Sequence, residues 1–397
     1  MLERATDGGG VQRAFLRIGG VTLARQQLGF ALALQCERIV CIAPALAPEL
    51  VELQHVAEAA GARFHVIGGP RALAGLVTAA DEIIAIGDGL FASSVEAAAL
   101  LEQGQAVLVQ PIEQGLAAGF ERIDLNTAAA GAMRVPGRLV AQLAELPADC
   151  DAVSALQRIA LQSGVAQRAI PAPGANGLFW TLVRSDGEAH SLEPQWIRQR
   201  TDDAGRASTP GRLLALFGVR AFGPALLDAG GGAGALLAAA VVTTAIGLGA
   251  GWFGYVIPGL ALCGLAWILM VSFALLERIQ SNQGVVRGRI STRGLVLGWT
   301  LDAALVALAG WGSVAVPGQP WFERFFPPLM LFAVLHLVPK ALGTRWTAWL
   351  EDRVLVAAAI AVGIGTGHGG ALLHGAALLV ALAGILVPRG DFRLTRP

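Results

Sequence analysis

Two aspartates in contrasting surroundings are the residues of this sequence best placed to do chemistry. Asp88 ends the apolar run 82–88 and precedes Gly89. At a strand end, such a carboxylate can hold a divalent metal against phosphate oxygens, although a simple turn aspartate fits the same pattern. Asp302 lies inside the apolar run 295–316, where a carboxylate is costly. It is therefore expected to face the interior of a helical bundle or to pair with a nearby arginine.

A glycine run near the start is the second feature that could bind a ligand. Gly8, Gly9 and Gly10 precede Arg13 and could form a loop that cradles a phosphate. No apolar strand comes before this run, so an irregular N-terminal segment is the alternative interpretation.

Around Asp88 the sequence predicts an α/β domain over residues 1–170. Strand-like runs at 37–43, 63–67, 82–88 and 105–110 are separated by helix-like stretches. This alternation predicts a parallel sheet with helices on both faces, whose ligands bind at the carboxyl ends of the strands. Residues 171–210 are rich in Pro and Gly and are interpreted as a connecting segment.

The second half of the chain has a different composition. The chain is 54% hydrophobic and only 15% charged, whereas soluble domains carry about 25% charged residues. From residue 226 to 390 the sequence predicts an all-α bundle of six transmembrane helices. The expected spans are 228–248, 252–275, 295–316, 325–342, 353–367 and 370–387. Residues 211–225 predict either an amphipathic juxtamembrane helix or an extension of the first span.

Lys and Arg residues indicate the orientation of these spans. They cluster before the first span, after the second, after the fourth and after the sixth. The positive-inside rule then predicts an inner (cytoplasmic) membrane protein with both termini in the cytoplasm. No signal-peptide pattern is present, so the first half is also expected in the cytoplasm. A net charge of zero gives no sign of a nucleic-acid partner.

The first half resembles the MobA-like and sugar-phosphate nucleotidyltransferases. The similarity covers about residues 8–170 and rests on the segment 13–28 and on the strand that ends in Gly87-Asp88. It implies that Gly8, Gly9, Gly10, Arg13 and Asp88 bind a nucleotide such as CTP, with Mg²⁺ at Asp88. Two features depart from the family. The first strand is missing or cut short, and Arg13 replaces the usual lysine.

The second half is similar to the CDP-alcohol phosphatidyltransferases, whose motif is D-x2-D-G-x2-A-R-x8-G-x3-D-x3-D. At that spacing only Gly294 and Asp302 match outright. The resemblance implies catalytic roles for Asp302 and Glu277, a metal at Asp302, and phosphate or headgroup binding by Arg278, Arg287 and Arg289. The remaining motif positions hold Gln280, Ser281, Gly284, Val285 and Gly298, so two metals would lack most of their anionic ligands.

Three functions follow from these patterns. The first is a membrane protein of phospholipid or polar-headgroup metabolism that keeps both folds but has lost the transfer reaction. The second is an active, CTP- and Mg²⁺-dependent transferase that makes a CDP-linked intermediate and moves it to a lipid or polyol. The third is a transporter with a cytoplasmic regulatory domain. Membrane lipids and CTP or a CDP-alcohol are the expected partners, and the resemblance adds a homodimer.

Overall fold

The computed structural model describes residues 3–7, 10–92, 94–147, 150–171, 179–205, 209–228, 232–280, 292–313, 321–342 and 347–386. The chain forms two compact units, with the main boundary between Trp196 and Ile197. The first is an α/β unit and the second is a helical unit, as the sequence predicts.

The described residues of the α/β unit form ten strands, several of them short. They are β1 Arg17–Ile18, β2 Val21–Thr22, β3 Arg38–Ile42, β4 Arg63–Ile67, β5 Glu82–Ile86, β6 Leu90–Ala92, β7 Ala106–Pro111, β8 Thr127–Pro136, β9 Gln167–Ala169 and β10 Trp180–Leu182. The helices of this part of the chain are α1 Leu23–Ala33, α2 Pro48–Ala59, α3 Ser94–Glu102, α4 Ile112–Ala117, α5 Val140–Leu143, α6 Ala152–Gln162 and α7 Asp186–Gly205. The predicted connecting segment therefore contains β10 and α7.

The four predicted strands correspond to β3, β4, β5 and β7, but they do not form one parallel sheet. β3 pairs with β4 in parallel, and a separate four-stranded sheet has the order β5-β8-β7-β9. β8 runs antiparallel to both β5 and β7, which corrects the expectation of an all-parallel sheet. The sequence gives little sign of β8, because alanines at 128–130 have a low intrinsic preference for strands.

Helices cover both faces of the four-stranded sheet. On one face, Phe30 of α1 and Leu101 of α3 pack with Leu108 of β7. On the other, Leu143 of α5 and Leu156 of α6 pack in the same apolar cluster as β7 and β8. Because both faces are covered, the central strand β7 is buried along almost its whole length.

The second unit consists of helices. They are α8 Pro210–Asp228, α9 Gly232–Trp252, α10 Val256–Gln280, α11 Thr292–Gly312, α12 Trp321–Leu342, α13 Thr347–Glu351, α14 Arg353–Gly365 and α15 Gly369–Leu386. All six predicted spans fall on apolar helices. Four of the described helices, α9 to α12, are long and apolar enough to cross a membrane, whereas α14 and α15 are shorter. α8 covers the predicted juxtamembrane segment and exposes the apolar side chains of Leu213, Leu214, Phe217 and Phe222.

Small residues let helices of this bundle pack closely. A Cβ added at Gly259 of α10 would lie 2.6 Å from the carbonyl oxygen of Gly247 in α9. Such a distance allows no side chain, so the two backbones meet directly at these glycines, as in other packed membrane helices. The buried core of the bundle comes from α10, α11, α12, α14 and α15, including Leu260, Leu305, Leu335, Ile360 and Leu373.

Candidate functional site

The turn after β5 holds Asp88 in a fixed backbone setting. The N–H of Gly87 donates to the carbonyl oxygen of Gly131 at 2.7 Å. The side-chain amide of Gln27, on α1, donates to the carbonyl oxygens of Gly87 and Leu90 at 3.0 and 2.9 Å. Gly89 has φ +79°, and an added Cβ there would lie 2.6 Å from the carbonyl oxygen of Val183. Only glycine suits that position, so the turn presents the Asp88 carboxylate at the carboxyl end of the strand.

Glu3 joins the two candidate residues of the α/β unit. The Oδ2 atom of Asp88 accepts a hydrogen bond of 3.0 Å from the backbone N–H of Glu3. The Glu3 carboxylate in turn pairs with the Arg13 guanidinium. The structure thus brings Arg13 and Asp88 into one cluster. Sequence reasoning missed Glu3, since no motif marks it and it lies 85 residues from Asp88.

The glycine run contributes only in part. Gly10 has the left-handed φ of +68° and open space at its Cβ position. Gly8 and Gly9 lie outside the described residues, so the expected phosphate loop stays a prediction.

A cavity of about 1070 Å³ opens beside this cluster. Arg13, Asp88 and Arg184 line it at the end where β5 stops. Along the rest of its length it is bordered by β3 and β5, by α1, and by apolar residues of α5 and α6. The cavity therefore has a charged end, and its long body is lined by apolar side chains together with charged ones such as Arg38, Glu82 and Arg134.

The second site surrounds Asp302 in α11. Its Oδ1 accepts a hydrogen bond of 2.7 Å from Nε of Arg353, and its Oδ2 accepts one of 3.1 Å from Nη2 of the same guanidinium. Both residues are buried. This bidentate contact gives both oxygens of the buried carboxylate a charged donor, which a buried ion pair needs in order to be stable. Asp302 is thus both interior and paired with an arginine.

His336 of α12 completes this cluster. Its Nε2 lies 3.3 Å from Oδ2 of Asp302, and its Nδ1 lies 3.1 Å from Nη2 of Arg353. A guanidinium can only donate, so Nδ1 accepts and Nε2 carries the proton that points to Asp302. The Arg353 guanidinium also lies over the rings of Phe332 and Trp267, at 5.5 and 5.8 Å from their centroids. Sequence reasoning missed His336, although an ionisable residue inside an apolar run is itself a signal.

Of the other residues of the membrane motif, Glu277, Arg278 and Gly298 are among those that the structure describes. Glu277 is half-buried near the end of α10, and Arg278 beside it is exposed. Gly298 lies one turn before Asp302, with open space where a side chain would begin. Arg287 and Arg289 lie outside the described residues, so the headgroup role expected of them is untested.

Among the described residues, the surroundings of Asp88 and Asp302 lack the ligand set of a Mg²⁺ site. The part of the chain that the structure describes contains no group of three or more His, Cys, Asp or Glu side chains able to hold a metal. A divalent cation at Asp302 would have to displace the guanidinium of Arg353 from both carboxylate oxygens. The donor set around Asp302 therefore fits a buried ion pair and not a metal pair.

A comparison with protein-family models finds no match for this chain, and a comparison with curated proteins finds none either. The apolar helices are compatible with a membrane-embedded, multi-pass protein.

Proposed function

We propose that this protein belongs to phospholipid or polar-headgroup metabolism, descends from a fused nucleotidyltransferase and CDP-alcohol phosphatidyltransferase, and has lost the transfer reaction. It would then serve as a binding or partner subunit. The observation that carries the proposal is the state of Asp302. In the motif that the sequence resembles, the last aspartate is the base, whereas here both of its carboxylate oxygens accept hydrogen bonds from Arg353.

The surroundings of Asp302 support the loss of the transfer reaction. A base must reach the proton of its substrate, and both oxygens of the Asp302 carboxylate already accept hydrogen bonds from the Arg353 guanidinium. Gly298 supplies no carboxylate one turn earlier. The motif is therefore short of metal ligands, and its retained aspartate is neutralised by another helix.

The test measures chemistry and binding separately. The purified full-length protein is incubated with Mg²⁺, labelled CTP and a panel of sugar and polyol phosphates, and then with a CDP-alcohol. We expect binding of the CDP-alcohol at up to millimolar concentration without release of CMP, and no product from CTP. Asp302→Asn should leave binding unchanged. CMP release that stops in Asp302→Asn would establish an active transferase instead.

A restored motif gives a second test. Changing Gln280→Asp, Ser281→Gly, Val285→Arg and Gly298→Asp supplies four of the missing motif residues. We expect no CMP release from this variant while Arg353 holds Asp302, and some release once Arg353→Met is added. Release without the change at Arg353 would show that the ion pair does not block the site.

A second candidate function is favoured by His336. A histidine in contact with a buried Asp–Arg pair inside apolar helices is a common element of proton and ion pathways. The protein would then be a transporter with an α/β regulatory domain. Proteoliposomes that contain a pH-sensitive dye distinguish the two candidates, because a proton-coupled transporter moves protons when its solute is added and the proposed binding protein does not.

A further inference from the structure

The long cavity of the α/β unit lies between two strands that each have an open edge. Among the described residues, β3 is paired only with β4, and β5 is paired only with β8. Both strands border the same cavity, β3 along Arg38–Ile42 and β5 along Glu82–Ile86. An open edge carries a row of backbone donors and acceptors that can pair with another chain.

Hydrogen bonds already formed show which backbone groups of β3 face the cavity. The N–H of Ala43 donates to Ile67 and the carbonyl oxygen of Glu37 accepts from Arg63, at 2.9 and 2.8 Å. Odd-numbered residues of β3 therefore bond to β4. The backbone N–H and C=O groups of successive residues in a strand point to opposite sides. Those of Arg38, Val40 and Ile42 therefore point away from β4.

The same reasoning applies to β5. The N–H of Gly87 donates to Gly131, and the carbonyl oxygen of Asp81 accepts from Gly137, both at 2.7 Å. Odd-numbered residues of β5 thus bond to β8, so Glu82, Ile84 and Ile86 direct their backbone groups away from β8. Among the described residues, each side of the cavity therefore carries three residues whose N–H and C=O groups are not paired with a neighbouring strand.

The two remaining walls of the cavity combine apolar side chains with a few polar ones, such as Gln27 of α1 and Gln157 of α6. Leu28 and Ala31 of α1 line it, and so do Val140 of α5 and Leu156 of α6. α1 and the α5–α6 pair pack on opposite faces of the four-stranded sheet. An occupant that runs between β3 and β5 would therefore meet apolar side chains on both faces, as buried strands of parallel sheets do.

The volume suits a strand. Given the rise per residue, the spacing between strands and the spacing between layers, one residue of a packed strand occupies roughly 160 Å³. The cavity of about 1070 Å³ then holds a segment a little longer than the five-residue strands on either side of it. β3 and β5 also leave most of their residues only half-buried, whereas β7 in the same unit is almost fully buried.

We propose that the cavity between β3 and β5 binds an extended, apolar strand of about six residues from a partner polypeptide, which joins the two sheets into one. The partner segment is recognised by backbone hydrogen bonds on both sides and by apolar side chains on both faces. It contains no proline, because a proline could not donate to either edge.

The experiment uses the full-length protein in detergent and a fluorescein-labelled probe peptide. The probe has six alternating Val and Ile residues between lysine pairs, and its control carries N-methyl groups on the central amides. We expect saturable binding of the probe and at least tenfold weaker binding of the N-methylated peptide. Hydrogen exchange should slow at the cavity-facing amides of Val40 and Ile84, but not at Cys41 and Ala85, whose amides are already bonded.

Two matched variants locate the binding. Ala31 and Ala33 are both half-buried on α1, but only Ala31 lines the cavity. Ala31→Trp should fill the space and weaken probe binding at least tenfold, while Ala33→Trp should leave it unchanged. If Ala31→Trp is poorly folded, the exchange pattern of the wild-type protein still decides the question.

Several results would overturn the proposal. They are absence of probe binding, equal binding of the N-methylated peptide, and equal binding by Ala31→Trp in a folded protein. Slow exchange of Val40 and Ile84 before any peptide is added would show that this chain or a second copy already fills the cavity. Slowing of the same amides by CTP in place of the peptide would make the cavity a nucleotide pocket.

Discussion

In the helical bundle the carboxylate of Asp302 is held by side chains from two other helices, whereas in the α/β unit Asp88 accepts from a backbone N–H. The difference follows from whether the backbone N–H groups near each carboxylate are already hydrogen-bonded within a helix. Helices α11, α12 and α14 satisfy their own backbone groups internally, so only Arg353 and His336 can offer donors to a buried charge. In an irregular segment such as the one at Glu3, the backbone N–H is not used within a helix and can donate directly to a carboxylate.

The largest effect is expected where a buried charge loses its partner. Arg353→Met leaves the Asp302 carboxylate without its guanidinium and should lower the free energy of unfolding of the bundle by about 3–5 kcal/mol. Thermal unfolding of the detergent-solubilised protein measures this loss. The double variant with Asp302→Leu should recover most of it, because neither charge then remains.

Arg212→Met is the matched control for that experiment. Arg212 pairs with Glu351 at 2.8 Å, but both side chains are about two-fifths exposed. A pair of this kind contributes about 0–1 kcal/mol. A loss as large as that of Arg353→Met would contradict the view that burial makes the Asp302 pair critical.

A smaller effect is expected at His336. His336→Leu removes the hydrogen bonds of the imidazole to the charged groups of Asp302 and Arg353 but leaves the ion pair, so the bundle should lose about 1–3 kcal/mol. The same unfolding measurement checks this value. His374→Leu on the exposed side of α15 should change stability much less. Equal effects of the two variants would mean that His336 does not belong to the buried cluster.

In the α/β unit the expected change is local. Asp88→Ala removes the acceptor for the Glu3 N–H, which is worth about 1 kcal/mol, and should speed hydrogen exchange of that amide about five- to tenfold. Asp88→Asn keeps an acceptor oxygen and should behave nearly as the wild type. If the Glu3 amide exchanges as fast in Asp88→Asn as in Asp88→Ala, the charge of Asp88 matters more than its hydrogen bond.

The smallest change concerns a thiol next to the cavity. Burial raises the pKa of the Cys41 thiol in β3 to about 11. Because only the thiolate reacts, iodoacetamide should modify Cys41 slowly at pH 8 and faster as the pH approaches 11. Mass spectrometry follows the reaction, and the unfolded protein at pH 8 is the control. Rapid modification of the folded protein at pH 8 would show that the thiol is not protected.

Local sequence patterns are enough to predict the two kinds of region and most of their elements. Apolar runs long enough to cross a membrane can be stable only as helices in lipid, and they appear as α9 to α12. Short apolar runs between helix-like stretches gave the positions of β3, β4, β5 and β7. The positions of Asp88 at a strand end and of Asp302 inside a helix followed from the same periodicities, because these depend on near neighbours in sequence.

The tertiary structure alone decided what these elements do together. β8 lies between β5 and β7, and its alanines are a strand only because neighbours on both sides pair with it. Arg353 lies 51 residues from Asp302, and no local pattern selects it from the other arginines of the chain. The open edges of β3 and β5 are equally invisible in sequence, since a strand acquires an edge only when the order of the sheet is set. Long-range pairing of charges and strands depends on the packing of whole elements, and that packing is the part of the fold that local sequence does not encode.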